Sequence, residues 1–419
     1  MIIASIDIQG GKVVQLKQGE ELVLQRDNPL ELADEFNRYG EVAVIDLDAA
    51  MNKGSNLDMI KPILRRAECR VGGGIRSSEQ AKELISWGAK KIIIGSAAFR
   101  VDGKFAVNIP FLKSMADKIG RERLIVAVDA RAGEITVDGW KTPTGLDLIE
   151  AAKAVEPFVG ELLFTCVERE GGMSGIDLEP VRKLREAVSC LVTVAGGVST
   201  LEEATQIASL GCDVQLGMAL YTGKISLPDA FIESLNWKKA EMLPVIVQSN
   251  DGQVMMTGFT DKTALAETFK RGNVCFHSRT RNKLWMKGEN SGNVLTLVKM
   301  RTDCDRDALL AIAEPAGPVC HTGAWSCFET NRKYTIELLQ KIVADRFRNP
   351  APGSYTATLD DKLVREKIME EAEEVCTAKT KDEVIWEAAD LLFFTTVLMT
   401  KEGVTIEEVL NELDRRHKK

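Results

Sequence analysis

Residues 71–98 read VGGGIRSSEQAKELISWGAKKIIIGSAA, and residues 194–220 repeat the same plan as VAGGVSTLEEATQIASLGCDVQLGMAL. In each stretch a glycine cluster follows a strand, a helix begins at Ser or Thr, and a second strand ends in glycine, at Gly95 or Gly217. Duplicated units of this kind predict a (β/α)8 barrel made of two half-barrels, each with glycine loops that bind phosphate at the carboxyl ends of its strands. A doubly wound sheet is the alternative, because strands and helices alternate in both folds.

The pattern changes twice along the chain outside this repeat. Strand-like runs alternate with amphipathic helices through residues 1–238, which we assign to the barrel. Residues 239–329 read as short strands around an Asp251-Gly252 hairpin turn with one helix near residues 262–271, which predicts a small α+β domain. Residues 330–419 are almost wholly helical in pattern apart from a break at 350–354. The sequence therefore predicts a multidomain protein with three domains in this order.

The composition excludes several classes of protein. Hydrophobic residues at 45% and charged residues at 28% are ordinary for a globular protein, and a net charge of −8 argues against a nucleic-acid partner. The start of the chain, MIIASIDI, has no charged region typical of a signal peptide, and the apolar run at 388–399 is too short to span a bilayer. We expect a cytoplasmic protein with no membrane partner.

The middle domain carries a cluster of aspartates and cysteines. Most of the nine cysteines lie singly in apolar runs, as reduced core residues do. The exceptions lie in TDCDRDALLAIAEPAGPVCHTGAWSCF at residues 302–328, and the candidate ligands there are Asp303, Asp305 and Asp307, with Cys304, Cys320 and Cys327. On a strand the three aspartates share one face, where Mg²⁺ neutralises their charges, while three thiols suit Zn²⁺ and leave one position for water. The alternative is a solvated acidic loop beside buried cysteines.

The C-terminal domain carries carboxylates on two predicted helices. Glu370, Glu371 and Glu374 lie on the first helix, and Glu387 and Asp390 lie three residues apart on the second. Each helix thus presents a stripe of carboxylates, and two facing stripes make a Mg²⁺ site that grips a pyrophosphate. The alternative is an ordinary solvated acidic face, although Asp390 lies within apolar sequence, where an unpaired carboxylate is costly to bury.

Two aspartates are candidate catalytic groups of the barrel. Asp7 ends the first predicted strand and Asp129 the fifth, so the two carboxylates face each other across the mouth of the predicted barrel. Two carboxylates with differently tuned pKa values suit acid-base chemistry. The alternative is that they only cap helices of the barrel.

Residues 244–329 resemble phosphoribosyl-AMP cyclohydrolases. The resemblance rests on the cluster of aspartates and cysteines and on SRTR at 278–281, LWMKGE at 284–289 and SG at 291–292. It implies zinc on the three cysteines for water attack at C6 of the purine ring, Mg²⁺ on the aspartates, His321 as a proton carrier, and substrate contacts from Arg279 and Lys287. It also implies at least a homodimer, because two protomers complete the family's zinc site. One departure is Asn293, where many relatives have histidine.

Residues 330–416 resemble phosphoribosyl-ATP pyrophosphohydrolases. The EExxE and ExxD patterns, PGSYT at 352–356, Lys367 and EAADLL carry the resemblance. It implies Mg²⁺-assisted attack of water between the α and β phosphates, with release of pyrophosphate. A general pyrophosphohydrolase of the nucleotide pool is the alternative, which the adjoining cyclohydrolase pattern disfavours.

The barrel resembles the phosphoribosyl-formimino-AICAR-phosphate isomerases over nearly its whole length. The matching motifs include IDLDAA at 45–50, GGGIRS at 72–77, VDARAG at 128–133, AGGVS at 195–199 and LGMALYTGKI at 216–225. The resemblance implies catalysis by Asp7, Asp129 and Thr165, stacking of Trp140 on the substrate, and phosphate binding by Gly74, Gly95, Ser96, Gly197 and Gly217. Residues 165–171 read TCVEREG where many relatives have TDxxRDG.

The three resemblances together imply consecutive reactions of histidine biosynthesis on phosphoribosyl-ATP, phosphoribosyl-AMP and the formimino ribonucleotide. The chain carries the corresponding domains in reverse order, with the barrel first. We expect a trifunctional enzyme. The alternative is a bifunctional cyclohydrolase and pyrophosphohydrolase whose barrel is a catalytically silent scaffold or regulatory module.

Overall fold

A computed structural model describes residues 1–17, 19–172 and 175–417. The chain divides into two compact units. The first unit contains residues Met1–Asn250 and Val254–Phe328, and the second contains Asp251–Gln253 and Glu329–Lys419. Each unit is described below by itself.

The N-terminal part of the first unit alternates strands and helices. The strands are β1 (Ile2–Gln9), β2 (Lys12–Lys17), β3 (Glu21–Arg26), β4 (Val42–Asp46), β5 (Cys69–Gly72), β6 (Lys91–Ile94), β7 (Arg100–Val101), β8 (Lys104–Phe105), β9 (Leu124–Ala127), β10 (Ala130–Arg131), β11 (Glu134–Val137), β12 (Thr142–Asp147), β13 (Glu161–Thr165), β14 (Leu191–Ala195) and β15 (Asp213–Leu216). The helices are α1 (Pro29–Phe36), α2 (Leu47–Ala50), α3 (Leu57–Leu64), α4 (Ser78–Ser86), α5 (Ile109–Ile119), α6 (Leu148–Val155), α7 (Leu178–Ala187), α8 (Leu201–Ser209), α9 (Met218–Tyr221) and α10 (Leu227–Glu233).

Eight parallel strands close into a barrel. They follow the order β1, β4, β5, β6, β9, β13, β14 and β15, and β15 pairs with β1 to complete the ring. The closing register places Ile2 opposite Val214 and Ala4 opposite Leu216. This closure confirms the predicted (β/α)8 barrel and excludes the doubly wound sheet, whose edge strands stay unpaired.

The repeated sequence plan appears as repeated local structure. The Ser77 side chain caps α4 by accepting the N–H of Gln80, and Thr200 caps α8 in the same way through Glu203, with the reciprocal bond of a capping box. The interior of the barrel is filled by apolar side chains, among them Ile93, Ile125, Leu163 and Ala195. The interior of the barrel is therefore a packed core and not an open channel.

The amino ends of the barrel strands hold a buried ion network. Arg70 on β5 is fully buried and pairs with Glu41 and with Glu161, the first residue of β13. Lys91 joins the network at 3.0 Å from Glu161 and 3.2 Å from Glu41. Burial opposes ionisation of Glu41, but Arg70 and Lys91 outweigh it and lower its pKa to about 2. All these charges therefore stay paired at this end of the barrel.

The remainder of the first unit is a small α+β region. Its elements are β16 (Leu243–Ser249), β17 (Val254–Thr260), α11 (Lys262–Arg271), β18 (Cys275–Ser278), β19 (Lys283–Met286), β20 (Leu295–Thr302) and β21 (Leu309–Pro315). The strand order is β17-β16-β21-β20, with β16 and β21 parallel, and β18 and β19 form a separate hairpin. Its apolar residues belong to the same core cluster as the barrel. The predicted α+β region is confirmed and packs directly on the barrel.

The second unit is helical, as predicted. Its helices are α12 (Ile336–Arg348), α13 (Tyr355–Thr358), α14 (Asp361–Thr377), α15 (Lys381–Lys401) and α16 (Ile406–His417). Val343, Val364, Phe394 and Val397 form its small core, and α14 packs along α15. Among the described helices of the chain, none has the length and apolar character needed to cross a membrane.

Candidate active sites

Two glycine pairs with positive φ angles lie after equivalent barrel strands. Gly73 and Gly74 follow β5 with φ of +101° and +68°, and Gly196 and Gly197 follow β14 with +86° and +81°. Space is also short, because a Cβ on Gly74 would lie 2.5 Å from the carbonyl of Ala49. Only glycine fits such positions, and the backbone N–H groups of glycine turns of this kind suit phosphate oxygens. The structure thus places Gly74 and Gly197 in two matching nests.

One pocket of about 280 Å³ at the carboxyl ends of the strands joins the predicted isomerase residues. Both sets of phosphate-binding candidates border it or the small recess beside it, and so do the predicted catalytic residues. The lining includes Asp7, Gly74, Gly95, Ser96, Asp129, Trp140, Thr165 and Gly217, while Gly197 lines the adjoining recess. The barrel therefore presents one mouth with carboxylates at its centre and glycine turns on two sides.

The environments of Asp7 and Asp129 differ. Burial raises the pKa of Asp7 to about 6, although the Ser5 hydroxyl donates a hydrogen bond to it at 2.6 Å. Burial also raises the pKa of Asp129, against hydrogen bonds from Thr165 and from the Trp140 indole N–H at 2.9 Å. Trp140, which has a positive φ of +68°, lines the mouth, where its indole N–H contacts Asp129. Neither aspartate caps a described helix, which disfavours the structural alternative.

Glu170 is a third carboxylate in the mouth, which the sequence reasoning treated only as a departure from the family pattern. Burial and the nearby charges of Asp7 and Asp129 raise its pKa to about 8, so it carries a proton at neutral pH. It also lies against the second glycine nest, because a Cβ on Gly196 would lie 2.7 Å from its Oε2 atom. Its position directly before Gly171, in the loop after a barrel strand, was the available sequence signal.

Residues 303–308 form a hairpin turn between β20 and β21, which we name the aspartate turn. The prediction that Asp303, Asp305 and Asp307 lie on one face of a strand is wrong, because these residues lie in the turn. The Asp303 carboxylate accepts the N–H groups of Asp307 at 3.0 Å and Ala308 at 3.1 Å, which folds the chain back. The three carboxylates nevertheless converge, with one oxygen from each within 4.8 Å of the others. Such a set of oxygen ligands fits a hard divalent cation.

The three cysteines predicted to bind zinc lie in two separate places within one chain. Cys320 and Cys327 lie beside each other, close enough for each to influence the pKa of the other thiol. Cys304 lies exposed on the aspartate turn, and no cluster of three cysteine sulfurs forms among the described residues of a single chain. Three thiols suit zinc, so the residue types fit the metal, but one chain brings together only two of them.

The other predicted residues of this domain are His321, Lys287 and Arg279. The Nδ1 atom of His321 lies 3.9 Å from the Cys320 sulfur. Burial lowers the pKa of Lys287, and the cysteine pair acts on it in the opposite direction, which places this ammonium near both thiols. Arg279 lies with its guanidinium 3.7 Å from the centre of the Phe259 ring and touches neither thiol.

Helices α14 and α15 bring their carboxylates together. Glu371, Glu374 and Glu387 place one oxygen each within 4.8 Å of the others. The pKa of Glu371 is raised by burial and then by the charges of Glu374 and Asp390, so Asp390 lies at the same site. Glu370 instead pairs with Lys367 at 2.7 Å. Three of the five predicted ligands therefore converge on one point, with Asp390 close by, and such a set of oxygen ligands fits a divalent cation.

Family models match three successive parts of the chain. A histidine biosynthesis protein family matches residues 1–226, the phosphoribosyl-AMP cyclohydrolase family matches residues 256–329, and the phosphoribosyl-ATP pyrophosphohydrolase family matches residues 336–417. The matches confirm the three resemblances and their order.

The chain is similar to isomerases of the pathway and to bifunctional proteins, each over about half of its length. A phosphoribosyl-substituted imidazole-4-carboxamide isomerase of Methanosphaera stadtmanae is 36% identical over 240 residues, which are 55% of this chain and 98% of that protein. The histidine biosynthesis bifunctional protein HisIE of Pyrococcus furiosus is 41% identical over 207 residues, or 45% of this chain and 99% of that protein. The protein of the same name from Vibrio vulnificus is 41% identical over 199 residues, or 44% and 94%.

Proposed function

The chain belongs to the histidine biosynthesis protein family over residues 1–226, and we propose that it is a trifunctional enzyme of this pathway. It releases pyrophosphate from phosphoribosyl-ATP, opens the purine ring of phosphoribosyl-AMP and isomerises the formimino product. The observation that carries the proposal is the presence of all three families in one chain, each with its own cluster of reactive side chains. We place the domain boundaries at residues 238/239 and 329/330 and the enzyme in the cytoplasm.

The helical domain carries the pyrophosphohydrolase reaction. Glu371, Glu374, Glu387 and Asp390 hold Mg²⁺, and Glu370 takes part through its ion pair with Lys367. When bound, Mg²⁺ draws negative charge from the triphosphate oxygens. The carboxylates also orient water for attack between the α and β phosphates, which breaks the bond to the leaving pyrophosphate.

The cyclohydrolase site is completed by two copies of the chain. Cys320 and Cys327 lie together and Cys304 lies apart, so we propose that zinc is shared between the cysteine pair of one copy and Cys304 of another. When bound, zinc supplies an activated water for addition at C6 of the purine ring. The enzyme is then at least a homodimer, and the three aspartates of the aspartate turn hold Mg²⁺.

The surrounding side chains handle protons and charge in this reaction. Water adds at C6 and the N1–C6 bond breaks, so the proton lost from water reaches the nitrogen that leaves. His321, beside the cysteine pair, carries that proton. Lys287 and Arg279 bind the phosphoribosyl group, since they supply cationic donors in a domain with many acidic residues.

The barrel mouth carries the isomerase reaction. The nests containing Gly74 and Gly197 bind one phosphate each, so the substrate spans the mouth. Gly95 and Ser96 extend the first phosphate site, and Gly217 extends the second. This arrangement positions the reacting aminoribose over the central carboxylates.

The central carboxylates move the protons. Asp129, whose pKa is raised and whose position is fixed by Trp140 and Thr165, donates a proton to open the ribose ring. Asp7, with a pKa of about 6, is ionised at neutral pH and removes the proton from C2. Trp140 stacks on the imidazole ring of the substrate.

One incubation tests the whole proposal. Purified protein with Zn²⁺ and Mg²⁺ should convert phosphoribosyl-ATP to the ribulosyl product, detected by mass. In Asp7→Asn the formimino ribonucleotide should accumulate, with kcat of isomerisation lower by several orders of magnitude and KM little changed. In Cys320→Ser, phosphoribosyl-AMP should accumulate while bound zinc falls. Accumulation of the formimino compound by the parent protein would refute isomerase activity and make the barrel a scaffold.

A further inference from the structure

Arg306 occupies the centre of the aspartate turn in an unfavourable backbone conformation. It lies between Asp305 and Asp307, with φ at +62°. This left-handed region suits glycine, whereas an arginine there costs free energy that other contacts must offset. The strain therefore directs attention to what the Arg306 side chain contacts.

The Arg306 guanidinium binds the amino end of the barrel. It donates hydrogen bonds to the carbonyl of Ala208 at 2.9 Å and of Cys212 at 2.8 Å, and it lies 3.3 Å from the Asp213 carboxylate. Ala208 is in the last turn of α8, where carbonyl groups lack partners within the helix. A cation at this place also complements the helix dipole. Arg306 thus caps a barrel helix from a different domain.

A residue after α10 also holds the backbone of the aspartate turn. The N–H of Asn236, in the segment after α10, donates to the Arg306 carbonyl at 2.8 Å, and the Asn236 amide donates to the Asp305 carbonyl at 3.3 Å. Other barrel contacts of this region, such as that of Arg301 with Glu68, leave from β20 and do not touch the turn. The contacts of Arg306 and Asn236 therefore fix the backbone of the turn, while Lys239 pairs with the side chains of Asp305 and Asp307.

We propose that Arg306 is a positioning residue for the cyclohydrolase reaction, which holds the three aspartates and Cys304 in their converged arrangement by anchoring the turn to the barrel. The barrel then supports the neighbouring active site independently of its own chemistry. This inference rests on the proposed cyclohydrolase function. It also means that the barrel contributes to ring opening even when its own mouth is blocked.

Mn²⁺ binding to the full-length protein tests this role. Because the acidic helices also bind divalent cations, the comparison uses Glu371→Gln as a common background. Adding Arg306→Gly removes the anchor and permits the positive φ of the turn, and Arg306→Asn, which also tolerates this φ, controls for the extra backbone freedom of glycine. We expect Mn²⁺ affinity, measured by electron paramagnetic resonance, to fall roughly 10-fold or more, as for other residues that orient metal ligands. Arg306→Lys should recover part of the loss, and Arg301→Ala, the matched control, should show none.

Activity provides a second readout of the same variants. In the otherwise unchanged chain, Arg306→Gly should lower kcat for ring opening while pyrophosphate release keeps its rate. Equal Mn²⁺ affinity in Arg306→Gly and its background would overturn the proposal, as would an equal loss in Arg301→Ala. If Arg306→Gly does not fold, Arg306→Lys alone decides, because full parental affinity there refutes a role for the forked guanidinium. If the parent protein opens no purine ring, the cyclohydrolase proposal fails, and the Mn²⁺ comparison still tests the anchor.

Discussion

Replacing Glu170 by glutamine should make the barrel more stable at alkaline pH. The pKa of Glu170 is raised from its ordinary value of 4.5 to about 8 by burial and by the charges of Asp7 and Asp129. A carboxyl with a higher pKa in the folded chain holds its proton more tightly when folded, so folding loses stability as pH rises from 4.5 to about 8. This interval corresponds to a ceiling of roughly 5 kcal/mol.

Glutamine has nearly the same shape and stays neutral at every pH. Urea unfolding of Glu170→Gln and of the parent should therefore give similar free energies at pH 4.5 and a more stable variant at pH 9. Glu168→Gln is the matched control, since that carboxylate lies two residues away and is exposed. An equal pH dependence in parent and Glu170→Gln would refute the placement of Glu170 in a desolvated acidic cluster.

The same substitution should change the pH profile of isomerisation. In the parent, kcat/KM should rise through about pH 6 as Asp7 ionises and fall above about pH 8 as Glu170 loses its proton. One pH unit above the upper pKa, the rate should be about 10-fold below the plateau if neutral Glu170 is required. Glu170→Gln should lose the fall near pH 8, and any alkaline fall that remains should report the ionisation of Asp129, the proposed acid. An unchanged alkaline limb near pH 8 would show that Glu170 does not cause it.

Three further substitutions have definite expected outcomes. Arg70→Met should lower the free energy of unfolding of the barrel by roughly 3–5 kcal/mol in denaturant titrations, because it leaves buried carboxylates without their main partner. A change below about 1 kcal/mol would contradict a structural role of this ion network. Lys239→Met should tighten Mn²⁺ binding about 2- to 5-fold, since Lys239 contacts two carboxylates of the aspartate turn. Lys238→Met is the control, and unchanged or weaker binding in Lys239→Met would exclude competition between the lysine and the metal ion. Glu371→Gln should slow pyrophosphate release roughly 100-fold or more, whereas Glu373→Gln, at an exposed position of the same helix, should not. Equal rates of Glu371→Gln and the parent protein in a Mg²⁺ titration would make the cluster an ordinary solvated face.

The barrel and its glycine nests were predictable because their signals are local. A positive φ demands glycine at the residue itself, so the pairs at Gly73-Gly74 and Gly196-Gly197 are visible in the sequence as two copies of one motif. Helix starts at Ser77 and Thr200 are local in the same sense. Sequence alone therefore predicted both the fold class and the strand ends at which the glycine pairs lie.

Residues whose roles depend on distant neighbours were not predictable in this way. Glu170 acquires its raised pKa from burial and from carboxylates on or after other strands, and buried Arg70 pairs with Glu161 on β13 and with Glu41, which directly precedes β4. The alternation of aspartates was also misleading, since a pattern with period two fits a strand, whereas the Asp303 carboxylate accepts two backbone N–H groups and folds the segment into a turn. The three carboxylates nevertheless lie close together, because a tight turn also brings nearby side chains together.

The barrel has its mouth at the carboxyl ends of its strands and the aspartate turn at their amino ends, so the proposed isomerase and cyclohydrolase sites of one chain lie at opposite ends of the barrel. Among the described residues the barrel interior offers no passage between them, because Ile93, Ile125 and Leu163 fill it and the Arg70 network closes the far end. The ring-opened intermediate must therefore leave into bulk solvent before the same chain isomerises it. Time courses from phosphoribosyl-AMP should begin with a lag, and an excess of inactive barrel able to bind the intermediate should lengthen that lag in proportion to its concentration. Fusion in this chain would then keep the enzymes in equal amounts without shortening the path of their shared metabolite.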